Sequence, residues 1–106
     1  STMPPEPGQV RLGGCIPSRD PSEKYIVNKV IGRGGQGIVK VAKDRSTSQV
    51  VVMKVYEKGS KKAPIEHITK EFELLVGLGG HPKIARVYEI FQDWSNVYIV
   101  QEPYFG

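Results

Sequence analysis

Four glycines within six residues constrain this chain more than any other feature of its sequence. Gly32, Gly34, Gly35 and Gly37 lie in "VIGRGGQGIVKVAK", residues 30–43, and the chain then alternates apolar and polar residues. Glycine inside a regular element costs up to about 1 kcal/mol relative to alanine, so this cluster needs a physical reason. One interpretation is a loose hairpin turn. The other is a loop whose backbone must come close to a ligand such as a phosphate group.

Composition limits the class of protein. The chain has 106 residues, of which 39% are hydrophobic and 25% charged, as expected for one globular domain or part of one. No apolar run reaches the roughly 18 residues of a membrane span. The single cysteine, Cys15, cannot form an internal disulfide, and no Cys/His spacing suggests a metal site. We therefore expect an intracellular, cytoplasmic protein without a structural metal.

The net charge of +4 is compatible with phosphate binding but modest for a nucleic-acid binder. Lys58, Lys61 and Lys62 form the one basic cluster. We interpret it as a solvated loop and expect no nucleic-acid partner. The alternative is a basic surface that binds DNA or RNA, which salt-dependent binding would reveal.

The order of elements predicts the fold class. Residues 1–24 are rich in proline and glycine at their start, can bury little, and are expected to form a flexible tail. Strand patterns follow at "YIVNKVI", "IVKVAKD" and "VVVMKVY", and again at "IARVYEIF" and "NVYIVQE". Between the third and fourth strands, Pro64 begins a helix with one apolar face, Ile65, Ile68, Phe72, Leu75 and Leu78. We expect an α+β fold, a five-stranded and mainly antiparallel sheet with this helix packed on one face.

The glycine spacing separates the phosphate-binding alternatives. Gly32-x-Gly34-x-x-Gly37 matches G-x-G-x-x-G, which is a weak signal alone. A dinucleotide-binding turn needs a helix directly after the glycines, whereas a strand pattern follows here. A Walker-type loop ends in Gly-Lys-Ser/Thr, which is absent from this stretch. The remaining type of loop is a glycine-rich hairpin of the kind that covers the phosphates of ATP in protein kinases.

Several motifs in order resemble the N-terminal lobe of a protein kinase. "IGRGGQGIV" at 31–39 is similar to the glycine-rich loop, and "VVMK" at 51–54 to the V-A-I-K strand. "GHPKIARVYEIF" at 80–91 resembles the segment after helix C, and "NVYIVQE" at 96–102 the strand that enters the hinge. The resemblance covers residues 25–106 and implies a kinase N-lobe, truncated at the hinge and without its C-lobe. The sequence of residues 80–100, after the helix, is most similar to the calmodulin- and calcium-dependent serine/threonine kinases.

The resemblance implies an ATP site. Lys54 would bind the α- and β-phosphates and be held by Glu71 of helix C, whereas Glu73 lies about 200° around the helix and should face elsewhere. Val52 would lie above the adenine, Gln101 would be the gatekeeper, and the backbones of Glu102 and Tyr104 would meet the adenine edge. The glycine hairpin would contribute Ile31, Gly32, Arg33, Gly34, Gly35, Gln36, Gly37, Ile38 and Val39.

The same resemblance implies what this chain would lack. No H-R-D or D-F-G motif is present, so the catalytic aspartate and the Mg²⁺ ligands are expected in a C-lobe beyond Gly106. We expect the fragment alone to bind ATP weakly, to transfer no phosphate to a protein substrate, and to self-associate as a homodimer through its cleft face. Val52 stands where the family usually has alanine, and Gln101 is a polar gatekeeper. Both residues are compatible with two alternatives to an active kinase, a pseudokinase or a module that only binds partners.

Overall fold

The computed structural model describes residues 16–33, 37–62, 64–79, 83 and 85–103. Within these ranges the chain forms two helices and five strands. The elements, in chain order, are α1 (Pro21–Lys24), β1 (Tyr25–Arg33), β2 (Ile38–Asp44), β3 (Val50–Glu57), α2 (Ile65–Gly77), β4 (Val87–Gln92) and β5 (Asn96–Gln101).

The five strands form a single sheet in the order β1-β2-β3-β5-β4, and every neighbouring pair is antiparallel. This confirms the predicted α+β fold with a five-stranded antiparallel sheet. The largest differences from the predicted bounds are that β1 continues through Gly32 to Arg33 and that β4 begins only at Val87, whereas the ends of β3, β4 and β5 differ by one residue each. The first difference places the start of the glycine cluster inside the sheet, paired with β2, rather than in a free loop.

Alternation along β3 divides the core between the two faces of the sheet. Val51, Met53 and Val55 belong to a buried cluster on one face, here called the outer cluster. Tyr56 belongs to a second cluster on the opposite face, which includes Ile68 of α2 and is called the helix cluster. Val52 and Lys54 share the face of Tyr56 because side chains alternate along a strand. One half of this face is therefore covered by α2, and the other half carries Val52 and Lys54.

Stacked aromatic rings and an ionic network organise the outer face. Phe91 stacks between Tyr25 and Tyr98, with ring centroids 6.3 and 4.9 Å away. Glu89, whose side chain is 15% exposed, accepts hydrogen bonds from the Tyr25 hydroxyl and from the side chains of Arg19 and Lys24. Burial raises the pKa of Glu89, but these three donors together outweigh burial and hold the pKa below its ordinary value.

Within residues 16–24, the structure departs from the expected tail that buries little at one residue, Ile16. Ile16 is 5% exposed and belongs to the helix cluster, and Ser18 pairs with Gln92 at the edge of β4. Asp20 caps α1 by accepting a hydrogen bond from the Ser22 N–H at 2.9 Å. Because this segment is mostly polar, its composition did not indicate that Ile16 would pack into the helix cluster. Residues 1–15 lie outside the described part of the chain.

Helix α2 uses only part of its predicted apolar face. Pro64 is its N-cap, and Ile68 and Phe72 are its buried residues. Ile65 and Leu78, at the two ends of the stripe, are 42% and 40% exposed. The helix therefore packs on the sheet through Ile68 and Phe72, with Val76 partly buried against the same cluster, and its position is sensitive to each residue of the helix cluster.

Candidate functional site

A lysine and a glutamate meet between the sheet and α2. Lys54 lies on β3 between Val39 of β2 and Ile99 of β5. Its Nζ donates a hydrogen bond to Glu71 Oε1 at 3.2 Å, with side chains 29% and 36% exposed. The predicted contact between the two residues is present. A lysine within an apolar strand gains its charge partner in this way.

Tyr56 is a third member of this group that sequence reasoning missed. Its hydroxyl donates a hydrogen bond to Glu71 Oε2 at 3.0 Å, so each carboxylate oxygen of Glu71 has its own donor. Burial, followed by the charge and the hydrogen bond of Glu71, raises the pKa of Tyr56 well above its ordinary value. One signal in the sequence could have identified Tyr56. It lies two residues after Lys54, and residues two apart on a strand lie on the same face, here of β3.

The glycine hairpin is described at its two ends. An ideal Cβ on Gly37 would lie 2.3 Å from the carbonyl oxygen of Val55, whereas a Cβ on Gly32 would lie 3.7 Å from the Val39 side chain. Gly37 is therefore required by the close approach of β3, independently of any ligand. Gly32 is not sterically required by the protein itself. The predicted site residues Gly34, Gly35 and Gln36 lie outside the described residues.

Val52 lies beyond Lys54 on the same face of β3. It is paired with Val41 on one side and Gln101 on the other, and it is 9% exposed. Val39 is half-buried on the neighbouring strand. Paired residues of adjacent strands project to the same side, so Val39, Val52 and Gln101 lie on the face that carries Lys54. The remaining hairpin residues differ, because Ile31 and Arg33 are exposed and Ile38 packs against the outer cluster on the other face.

Glu102, the first of the two predicted hinge residues, forms two hydrogen bonds with the backbone of Arg86. The Glu102 N–H donates to the Arg86 carbonyl oxygen at 2.8 Å, and Glu102 Oε1 accepts from the Arg86 N–H at 2.7 Å. The N–H of Glu102 is therefore committed within the protein, and its carbonyl oxygen is the backbone group it can offer to a ligand. Tyr104, the second predicted hinge residue, lies outside the described part of the chain.

The arrangement presents a cation, an apolar wall and backbone polar groups on one sheet face. This donor set suits a nucleotide, because a lysine can bind phosphate oxygens and apolar side chains can cover a base. Within the described ranges, no three His, Cys, Asp or Glu side chains come together to hold a metal ion. No helix in those ranges is long and apolar enough to cross a membrane.

Comparison with known proteins defines the family. A sequence profile described as the protein kinase domain matches residues 25–106. Mitogen-activated protein kinase 15 of Rattus norvegicus is 31% identical over 87 residues, covering 79% of this chain and 16% of that protein. CDPK-related kinase 4 of Arabidopsis thaliana is 32% identical over 84 residues, covering 74% and 14%. Serine/threonine-protein kinase tricornered of Drosophila pseudoobscura pseudoobscura is 34% identical over 82 residues, covering 76% and 18%.

The chain belongs to the protein kinase family. It spans less than a fifth of the length of these three relatives. Their names represent several groups of kinases, so the finer resemblance to calcium-dependent kinases remains a proposal.

Proposed function

We propose that this chain is the ATP-binding N-terminal lobe of a serine/threonine protein kinase that transfers the γ-phosphate of ATP to protein hydroxyl groups. The observation that carries the proposal is the 3.2 Å contact between Lys54 Nζ and Glu71 Oε1 beside the glycine hairpin. In this family the pair places a cation against the nucleotide phosphates. Tyr56 supports the pair because it donates to the second oxygen of Glu71.

Each part of the proposed site has a distinct task. Lys54 would neutralise phosphate charge, and Glu71 would keep its ammonium group directed into the cleft rather than into bulk water. Val39 and Val52 would cover one face of the adenine and exclude water from it. The carbonyl oxygen of Glu102 would accept a hydrogen bond from the exocyclic amine of adenine. Gln101 would stand at the back of the pocket.

Phosphate transfer needs groups that the described residues do not provide. The substrate-orienting aspartate and the Mg²⁺ ligands of this family belong to the catalytic loop and the D-F-G motif. We propose that a C-lobe supplies them and covers the second face of the adenine. On this proposal the 106-residue chain binds ATP weakly and transfers no phosphate.

A nucleotide titration with a charge-deletion variant tests the proposal. Lys54→Met should abolish measurable binding of a fluorescent ATP analogue to this chain and remove most phosphotransfer in the full-length kinase. The matched control is Lys40→Met, because Lys40 pairs with Met53 of the outer cluster and projects from the opposite face. Equal loss of binding in both variants, or unchanged binding in Lys54→Met, would contradict the role assigned to Lys54.

A second candidate is a kinase-like module that binds partners without catalysing phosphotransfer. It is favoured by Val52, whose buried side chain lies where the adenine would pack and where alanine is usual in the family. Full-length protein that binds ATP but incorporates no radiolabelled phosphate into itself or a generic protein substrate would support this alternative.

The same full-length protein, assayed with and without calcium and calmodulin, tests the finer proposal of a calcium-dependent kinase. Homodimerisation of the 106-residue chain stays a prediction, which light scattering would test.

A further inference from the structure

A short N-terminal strap, defined as residues 16–19, runs along the edge of β4. The Gln92 N–H donates to the Pro17 carbonyl oxygen at 2.8 Å, and the Arg19 N–H donates to the Gln92 carbonyl oxygen at 2.9 Å. The Gln92 side chain adds a bond from Nε2 to the Ile16 carbonyl oxygen at 2.9 Å. Three hydrogen bonds from one residue of β4 thus hold the strap in a single register, which resembles one residue of parallel pairing.

The strap contributes one apolar side chain, that of Ile16, to the helix cluster on which α2 packs. Ile16 is 5% exposed and is part of the helix cluster together with Ile68 and Phe72. These two residues are the buried residues of α2. Val76 of α2 is partly buried against the same cluster. A helix that packs through three side chains depends strongly on each neighbour that fills the space beneath it, because protein interiors tolerate little empty volume.

The same helix carries the glutamate of the candidate site. Glu71 directly precedes Phe72, so a shift of the helix that moves Phe72 must also move the carboxylate that holds Lys54. Tyr56 connects the two regions, because its ring belongs to the helix cluster and its hydroxyl donates to Glu71. The apolar seat and the ionic contact are therefore mechanically linked.

We propose that Ile16 is a positioning residue that keeps α2 where Glu71 meets Lys54. The inference rests on the proposed function for its consequence, since the Lys54–Glu71 pair matters to nucleotide binding only if Lys54 binds phosphate. Loss of the Ile16 side chain leaves a gap beside Ile68 and Phe72, which the helix closes by moving. The helix then populates positions in which the ionic contact is broken.

The outer cluster provides a matched control for general destabilisation. Val51 is 2% exposed and lies in that cluster, on the face of the sheet opposite to α2. Val51→Ala should lower the stability of the domain through a buried cavity, as Ile16→Ala does, but without removing any support from α2. Ile16→Val keeps most of the side chain and should restore the seat.

A distance measurement between spin labels tests the proposal on the 106-residue chain. Labels are placed on exposed positions of α2 and β2 through Lys70→Cys and Lys43→Cys, in a background in which Cys15→Ser removes the natural thiol. The parent and the Val51→Ala variant should give one narrow distance distribution. Ile16→Ala should broaden it or add a second distance, and Ile16→Val should return it towards the parent. If Ile16→Ala fails to fold, Gln92→Ala, which removes the side-chain hydrogen bond to the Ile16 carbonyl oxygen, must broaden the distribution for the proposal to stand.

Nucleotide affinity supplies the second readout. If Ile16→Ala reduces the seated helix to about one fifth of the molecules, the apparent affinity for the ATP analogue falls about fivefold, because only the seated form binds well. Val51→Ala should leave the affinity within about twofold of the parent. An unchanged distance distribution in Ile16→Ala, with binding still abolished by Lys54→Met, overturns the positioning role alone. Binding that survives Lys54→Met overturns the proposed function, and a distance change in Ile16→Ala then still establishes that Ile16 seats the helix.

Discussion

Replacing Tyr56 with phenylalanine isolates one hydrogen bond of the site. The Tyr56 hydroxyl donates to Glu71 Oε2 at 3.0 Å, and the ring is 7% exposed within the helix cluster. Phenylalanine keeps the ring and its packing and removes only the donor. The loss should therefore report the hydrogen bond rather than a cavity.

The partial exposure of Glu71 determines how much unfolding free energy is lost in Tyr56→Phe. A hydrogen bond to a charged group contributes about 1.5–3 kcal/mol, and the value falls when water can replace the lost partner. The Glu71 side chain is 36% exposed and keeps its contact with Lys54, so water can reach the oxygen that Tyr56 leaves. We expect Tyr56→Phe to lower the free energy of unfolding by about 1 kcal/mol, slightly below this range.

A double-mutant cycle with Glu71→Ala measures this bond by urea denaturation. The coupling energy between Tyr56 and Glu71 should be about 1 kcal/mol, and the control Tyr88→Phe, on an exposed tyrosine, should change stability by less than about 0.5 kcal/mol. A coupling energy within the error of additivity, about 0.3 kcal/mol, would refute the hydrogen bond as a stabilising contact.

Alkaline titration gives the same bond a second test. The folded state raises the pKa of Tyr56 above its ordinary value of 10.0, so the contribution of this phenol is complete below pH 10 and is lost as the pH rises towards the folded pKa. Burial and the Asp93 hydrogen bond likewise raise the pKa of Tyr98 to about 12. Above pH 10, Tyr56→Phe should make the loss of unfolding free energy shallower by up to about 1.4 kcal/mol per pH unit. Identical slopes in the two proteins would count against the raised pKa.

Four further substitutions follow from the described contacts. Glu89→Gln should cost about 1–3 kcal/mol at neutral pH, and the difference from the parent in urea denaturation should shrink as the pH falls below 4.5, because the folded state lowers the pKa of this carboxyl. Gly37→Ala should cost about 1–3 kcal/mol in the same assay, because its Cβ would meet the Val55 carbonyl oxygen, and Gly32→Ala should cost less than about 1 kcal/mol. A reversed order of the two glycine variants would contradict the steric argument. Val52→Ala should tighten ATP binding several-fold, about 1 kcal/mol, and equal affinity would mean that the valine is already accommodated.

Local pattern was sufficient to predict the elements, and a family resemblance was sufficient to predict one ionic pair. The two-residue period of "VVVMKVY" and the helical spacing of Ile68 and Phe72 act over a few residues, so they predicted β3 and α2. Lys54 and Glu71 were chosen from a resemblance to protein kinases, and the structure brings their side chains together. Their tasks in nucleotide binding stay predictions.

Tertiary structure alone decided which surfaces meet. A sequence pattern identifies an apolar face but not the residue that covers it, because the partner can lie far away along the chain. Ile16, in a polar segment, fills the seat of α2, and Tyr56 reaches Glu71 only because the register of β3 and the position of the helix coincide. Gly37 faces the Val55 carbonyl oxygen, and the N–H of Glu102 is bound to Arg86, for the same reason. Each of these contacts depends on how separate elements pack, and packing is a property of the whole fold.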